Sequence, residues 1–374
     1  MIDRRIEPFL LTPGPLTTSR ATKEAMLRDW GSRDPAFMAL NARVRERLVA
    51  LAGGQGTHVC VPLQGSGTFI VEAMLATMVP SGGKLLVLVN GAYGKRMLRM
   101  CEYHRRAFTA LEVPEDRAVD PAAVDAALAA DAAITHVTLV HCETTSGVLN
   151  PVAEVAAVVA RRGRRFLLDS MSAFGALSLD ARRVPFDAMV ASANKCLEGV
   201  PGMGFAIVRQ TALEAAKGNC GSLSLDLHDQ WVAMEKTGQW RFTPPTHVIA
   251  ALDQALAEHA AEGGVEGRGA RYARNCGILV SGLRAMGFET LLPDAIQAPV
   301  IVTVRMPVDP AFHFQTLYDR LAERGYVIYP GKLTVADSFR IGCIGRLGEE
   351  EMRGVLGAIG AIVKEMGVTR CAPA

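Results

Sequence analysis

The chain has 374 residues, 49% of them hydrophobic, enough for a large buried core and, by length, for one large domain with a smaller one beside it. Its 40 basic residues stand against 38 acidic ones, a balance that argues against a nucleic-acid surface, which carries a strong basic excess or stripe. The 8 cysteines show neither a CxxC pair nor zinc-ligand spacing, so most are expected as small buried hydrophobes in a reducing cytoplasm.

The N-terminal Met-Ile-Asp-Arg-Arg-Ile-Glu-Pro lacks the apolar core of a signal peptide. No run approaches the roughly 20 uncharged apolar residues of a membrane span, and a soluble, cytoplasmic protein is expected. The first twenty-odd residues are short of strand signal. Gln64-Gly-Ser-Gly-Thr68 then leads into an apolar helical pattern. Small residues there let backbone N–H groups approach an anion at a helix N-terminus, where the dipole favours phosphate, and Ser66 and Thr68 add hydroxyls. A glycine turn also starts helices that bind nothing. The spacing is not GxGxxG, which argues against a dinucleotide site.

Residues 84–90 form an apolar, β-rich run, followed by Asn90-Gly-Ala-Tyr-Gly94 and a helical pattern over 94–103. Tyr93 stands where an aromatic could stack on a flat ligand or simply pack. Further runs at 136–141, 165–169, 189–194 and 204–209 are apolar at consecutive positions, as suits strands buried on both faces of a parallel sheet. A helix is predicted over 151–161, with proline at an N1-like start. Arg161, Arg162, Arg164 and Arg165 fall where that helix hands over to a strand, and are expected as a solvated helix end. Alternating strands and helices give the α/β class, a mostly parallel central sheet flanked by helices.

In open α/β sheets, ligands bind at the carboxyl ends of the strands. Glu143 and Thr144 follow the 136–141 run, Asp169 ends the next, and Lys195 follows 189–194, with Ser192 and Asn194 just before it. Three strands thus deliver an acid, hydroxyls and a lysine to one edge. A desolvated lysine amine that forms a Schiff base, and a carboxylate that keeps a pyridine nitrogen protonated, are what pyridoxal phosphate (PLP) requires. Read singly, Asp169 is a helix cap and Lys195 a surface lysine; as a pair on successive strands they favour the cofactor. His141 and Glu143 together suggest acid–base work, but a buried strand-end role is preferred for His141. No HExxH pattern occurs, and Ser172 and Ser192 lie in no Gly-x-Ser-x-Gly elbow.

Trp240-Arg-Phe-Thr-Pro-Pro-Thr-His247 is a loop stiffened by two prolines. Thr243 and Thr246 can bind phosphate or cap the following helix, with the cap favoured for Thr246. From about residue 246 the pattern changes. Helices are predicted over 246–262 and 266–286, then a strand at 300–305, a helix at 312–324, strands at 326–329 and 339–345, and a last helix from Gly348. The expected division is a large PLP-binding α/β domain over 20–255 and a smaller α+β domain over 256–374, joined by segment 1–19. Arg340 lies on a short strand of the smaller domain; turned inward it suits bidentate recognition of a carboxylate or phosphonate, and otherwise it is an exposed edge arginine.

Several stretches together resemble the class V group of PLP-dependent aminotransferases, of PLP fold type I, over nearly the whole chain. They are Leu11-Thr-Pro-Gly-Pro-Leu-Thr-Thr-Ser19, Leu63-Gln-Gly-Ser-Gly-Thr68, Asn90-Gly-Ala-Tyr-Gly94, Glu143-Thr-Thr-Ser-Gly147, Ser192-Ala-Asn-Lys-Cys-Leu-Glu-Gly-Val-Pro-Gly202, Ser222-Leu-Ser-Leu-Asp-Leu227, the 240–247 loop and Val327-Ile-Tyr-Pro-Gly-Lys332. The resemblance implies a transaminase in which Lys195 is the Schiff-base lysine and proton shuttle, Asp169 pairs with the pyridine nitrogen and Tyr93 stacks on the ring. It implies that Ser66, Gly67 and Thr68, joined by Ser192 or Asn194, hold the phosphate, and that Thr144 serves the phenolic-oxygen side. Thr243 matches a residue that reaches the neighbouring subunit's phosphate, which implies a homodimer, and Arg340 matches the substrate-anion arginine. The 222–227 and 240–247 stretches direct the resemblance to 2-aminoethylphosphonate as amino donor and pyruvate as acceptor. An alanine– or serine–glyoxylate type of transaminase, and a non-catalytic binding module of the same fold, are the alternatives. Trp30-Gly-Ser-Arg-Asp-Pro35 departs from the acidic stretch expected there, leaving Arg33 as a second anion contact or a surface ion pair. A cysteine desulfurase is disfavoured, since no cysteine sits in a recognisable mobile Gly/Ser loop.

Overall fold

The computed structural model describes residues 7–331, 333 and 336–373; the first six residues of the N-terminal octapeptide and Lys332 lie outside the described residues. Strands β1 (His58–Gly65), β2 (Lys84–Val89), β3 (Ala107–Glu112), β4 (Ile134–Val140), β5 (Arg165–Asp169), β6 (Ala188–Ser192) and β7 (Gly202–Arg209) form one sheet in the order β1-β7-β6-β5-β4-β2-β3. Only β7 runs antiparallel to its neighbours. The fold is therefore α/β with a mostly parallel sheet, as the apolar runs imply.

The two strands that those runs do not include, β1 and β3, are the two edges of the sheet. β1 carries Pro62, which removes a ladder donor; an edge strand tolerates this because one of its sides has no ladder to break. β3 is nowhere fully buried, so Ala-Phe-Thr-Ala-Leu-Glu carries no continuous apolar run.

Interior strands alternate side chains between two cores because the strand period is 2. Leu86 and Leu88 of β2 enter one core with Met189, Ala191 and the helices Pro35–Leu51, Val152–Arg161 and Thr246–Ala261. Leu85, Val87 and Val89 enter the other with Ala188, Val190 and the helices Gly67–Met78 and Ala92–Tyr103. A third core forms around Ile301–Arg305, Ser338–Gly342 and Tyr329–Pro330, a three-stranded antiparallel sheet with Ser338–Gly342 in the middle. Helices Gly264–Ala285, Phe314–Glu323 and Glu349–Glu365 pack on it. The strand Phe9–Leu10 pairs in parallel with Tyr326–Val327, so the start of the chain joins this third core.

Seven of the eight cysteines are buried, with Cys220 half-buried. The arginine run ends the helix Val152–Arg161; Arg162 forms a bidentate pair with Asp125 at 2.6 and 2.8 Å. Among the described residues, no helix is long and apolar enough to cross a membrane.

Candidate active site

A cavity of about 550 Å³ opens at the carboxyl ends of the central strands and gathers Ser66, Gly67, Thr68, Tyr93, Asp169, Ser192, Asn194 and Lys195. A second cavity, of about 370 Å³, lined by Thr135, His136, Arg164 and Arg165, contains none of the expected site residues.

Each gathered residue is placed by the end of an element. Asp169 is the last residue of β5 and sits opposite Val190 of β6. Ser192 ends β6, and Lys195 follows on the turn. Ser66 is the N-cap of Gly67–Met78, yet its side chain makes no capping hydrogen bond. Ser192 Oγ is buried and has no hydrogen-bond partner among the described residues. Two hydroxyls and a helix N-terminus therefore face the cavity with donors to spare, the combination that binds an oxyanion.

Asp169 is buried, and its Oδ1 accepts the Met171 N–H at 2.9 Å. Burial pushes its carboxyl up to about 6, against the pull of that bond and of the Lys195 and Arg96 charges. The native protein therefore holds this proton more tightly than the unfolded chain, and stability falls as pH rises from about 4 to about 6. Asp169→Asn should stabilise the ligand-free protein above pH 6 by on the order of 2 kcal/mol and confer nothing below about pH 4. Thermal unfolding of both proteins across that range checks this; a difference that does not vary with pH would refute it.

Lys195 Nζ donates to the Pro13 carbonyl at 2.6 Å and lies 3.4 Å from that of Gly14. Gly14 has a φ of +114°, and a Cβ there would stand 2.7 Å from Lys195 Cδ and 2.8 Å from Nζ. Only glycine leaves the amine its place. The turn beyond is clamped from outside the sheet. The Glu198 N–H donates to the Lys195 carbonyl at 2.8 Å. Glu198 Oε1 in turn accepts from Tyr272 Oη at 2.6 Å and Arg271 Nη2 at 2.7 Å, while the buried Arg268 donates to the Cys196 carbonyl at 2.6 Å. The Gly264–Ala285 helix thereby holds the lysine turn.

The Tyr93 N–H donates to Glu143 Oε2 at 3.3 Å. Glu143 is fully buried, also accepts from Thr145, and is pushed up to about 7 by burial. His141 lies 3.1 Å from Ser170 Oγ and is driven down to about 4 by burial, so at neutral pH it is an uncharged strand-end residue, as expected.

Thr144 and Arg340 are paired with each other: Arg340 Nη1 donates to the Thr144 carbonyl at 2.8 Å and Nε to that of Pro330 at 3.1 Å. Arg340 is buried on the middle strand of its sheet, which rules out the exposed-edge reading. Neither residue lines the 550 Å³ cavity. Thr243 lines a separate cavity of about 230 Å³ with Phe69, Trp240 and Phe242. Arg33 is exposed.

Two features were not singled out in the sequence. The Pro13 and Gly14 carbonyls reach Lys195 across 182 and 181 residues, a proximity that no local pattern encodes. Arg96 also lines the cavity; three residues past Tyr93 on a helix, it shares that residue's face, and this spacing could have revealed it.

The class-V aminotransferase family model matches residues 32–338. The 2-aminoethylphosphonate–pyruvate transaminase of Cupriavidus necator is 55% identical over 367 residues, 98% of this chain and 97% of that one. The transaminase of the same name from Pseudomonas aeruginosa is 55% identical over 361 residues, 96% and 97% of the two chains. Among solved structures, pyridoxamine–pyruvate aminotransferase from Mesorhizobium loti is 28% identical with a TM-score of 0.87, covering 97% of this chain and 94% of that one. Ureidoglycine–glyoxylate aminotransferase from Bacillus subtilis, at 21% identity and a TM-score of 0.90 over 98% and 95% of the two chains, shares the fold.

Proposed function

The chain belongs to the class-V aminotransferases, and on that premise we propose that it carries the amino group of 2-aminoethylphosphonate to pyruvate, releasing phosphonoacetaldehyde and L-alanine. The observation that carries the cofactor assignment is that Asp169 and Lys195 face one cavity beside a helix N-terminus with uncommitted hydroxyls. A buried carboxylate, an amine and an oxyanion cradle match the ring nitrogen, the carbonyl and the phosphate of pyridoxal phosphate. When bound, the cofactor supplies a carbonyl that takes up the substrate amine and an electron sink that acidifies the neighbouring C–H.

The protein's part is to bind, orient and move protons. Lys195 Nζ would hold the carbonyl end of the cofactor and, with the substrate amine in its place, would serve as the base that carries the proton of the substrate carbon. The Pro13 and Gly14 carbonyls hold that nitrogen in position. Asp169 keeps a proton on the ring nitrogen; its buried carboxylate, with a pKa raised by desolvation, is stabilised by a cation placed against it. Tyr93 offers a ring to stack on. Ser66, Gly67 and Thr68, with Ser192 or Asn194, receive the phosphate, and Thr144 serves the phenolic-oxygen side. Arg340 takes the substrate anion, phosphonate in one half-reaction and carboxylate in the other, because its planar fork matches either. One site serving both substrates in turn implies ping-pong kinetics.

Thr243 acts across a homodimer, on the phosphate bound by the neighbouring subunit. Phe69 and Phe242 beside it expose 52% and 48% of their surface, apolar area that suits an interface. The division into 20–255 and 256–374, with 1–19 joining the smaller part, is the domain organisation we adopt, in a cytoplasmic enzyme.

The half-reaction tests the substrate. 2-Aminoethylphosphonate alone should convert the absorbance of the cofactor-loaded protein and release one phosphonoacetaldehyde per site, faster than alanine or serine converts it. Conversion by alanine or serine with none by the phosphonate would replace this reading with a glyoxylate-type transaminase. Arg340→Gln should raise KM for both 2-aminoethylphosphonate and pyruvate by about 10- to 100-fold, with Arg340→Lys intermediate. Thermal unfolding is followed alongside, because the Thr144 and Pro330 carbonyls lose their donors. A rise for one substrate alone would show that the two anions bind at separate places.

A further inference from the structure

The cradle assigned to the cofactor phosphate consists of neutral groups: Ser66, Gly67, Thr68, Ser192 and Asn194. A phosphate monoester carries about −1.5 to −2 charges at pH 7, and a helix N-terminus returns only about +0.5. About one positive charge or more is missing from a pocket whose nearby acid, Asp169, adds a further negative one. Lys195 is committed to the carbonyl end of the cofactor.

Arg96 is placed to supply the missing charge. It sits on Ala92–Tyr103 and lines the same cavity. Its Nη1 donates to Thr68 Oγ1 at 3.1 Å, and its guanidinium lies 4.9 Å from the Tyr93 ring centroid. Its charge also reaches Asp169, whose carboxyl it pulls down. A guanidinium carries five N–H donors, so the bond to Thr68 leaves most of the fork for another acceptor. Resting on the pyridoxal-phosphate reading above, we propose that Arg96 is the cation of the phosphate cradle, pairing with the cofactor phosphate beside Thr68 while its contact with Tyr93 ties the stacking ring to the phosphate end. Its bond to Thr68, at the helix N-terminus, favours the cofactor phosphate over the substrate anion, which is assigned to Arg340 beside Thr144 and Pro330.

The test compares two forms of the cofactor. Cofactor-free wild type, Arg96→Gln and Arg96→Lys are titrated with pyridoxal phosphate and, separately, with pyridoxal, which lacks the phosphate. Both react with Lys195, so the ratio of their dissociation constants isolates the phosphate. Arg96→Gln should weaken pyridoxal phosphate by about 10- to 100-fold and pyridoxal by less than about twofold. Arg96→Lys, which keeps the charge and loses the fork, should fall between them; thermal unfolding verifies that both variants fold. Inorganic phosphate should compete with pyridoxal phosphate less effectively in Arg96→Gln than in wild type. Unchanged binding of pyridoxal phosphate by Arg96→Gln, or equal losses for both cofactor forms, would overturn the assignment. A raised KM for 2-aminoethylphosphonate with cofactor affinity unchanged would overturn it too, by moving Arg96 to the substrate. Wild type that binds pyridoxal phosphate without any Lys195-dependent absorbance would instead overturn the cofactor reading itself.

Discussion

Lys195→Ala should lower alanine formation from 2-aminoethylphosphonate and pyruvate by about 10⁴-fold, at the upper end of what a single acid–base residue contributes. On the proposed mechanism the substitution removes both the amine that would hold the cofactor's carbonyl carbon and the base that would move the substrate proton, and no neighbouring group is placed to replace both. His141 is uncharged and bonded to Ser170, and Glu143 is tied to Tyr93 and Thr145. The fold should survive, because the turn is held by the Glu198 backbone bond and by Arg268 and Arg271 rather than by the lysine amine. The variant should still bind pyridoxal phosphate through its cradle and Asp169, without the absorbance of the lysine-linked form. Product formation under single-turnover conditions and circular dichroism together check this. Residual activity above about one hundredth of wild type would mean that another residue carries the proton.

Asp169→Asn should slow the half-reaction with 2-aminoethylphosphonate by about 10²- to 10³-fold, the scale of losing one preorganised electrostatic contact. Asparagine keeps the shape and can still accept the Met171 N–H, but it cannot hold a proton on the ring nitrogen, so the electron sink weakens. Stopped-flow absorbance of the loaded protein measures the rate, and a loss under tenfold would remove Asp169 from the mechanism. The same substitution is expected to stabilise the ligand-free protein above pH 6. Together these two outcomes would locate a stability–activity trade-off at one carboxylate.

The parts of the site that were legible in the sequence are those carried by short stretches of chain. Asp169 and Lys195 were visible because each follows an apolar run that leaves little choice but a buried strand, and strand ends present ligand-binding groups. Ser66 to Thr68 were visible because small residues before an apolar periodicity mark a helix N-terminus. What escaped depended on neighbours far along the chain. β1 and β3 were missed because edge strands need neither continuous apolarity nor a full set of donors. Arg340 looked equally suited to an edge or an interior, and only the pairing of Ser338–Gly342 on both sides decided between them. Thr144 fell outside the main cavity although it was expected at the cofactor, while Thr243, expected at the neighbouring subunit's phosphate, lines a separate cavity.

Taken by itself, the chain determined the α/β class, the strands that form the sheet interior, and the lysine, the carboxylate and the small-residue helix N-terminus at their ends. Those features are local, since periodicity and strand termini act over a few residues. The tertiary structure alone decided that β7 runs antiparallel, that the Pro13 and Gly14 carbonyls hold the lysine amine, that Glu143 is buried enough to be pushed up to about 7, and that Arg96 shares the cavity with the cradle. Strand direction, desolvation and contacts across 180 residues are set by how the layers close on one another, and no window of sequence contains that information.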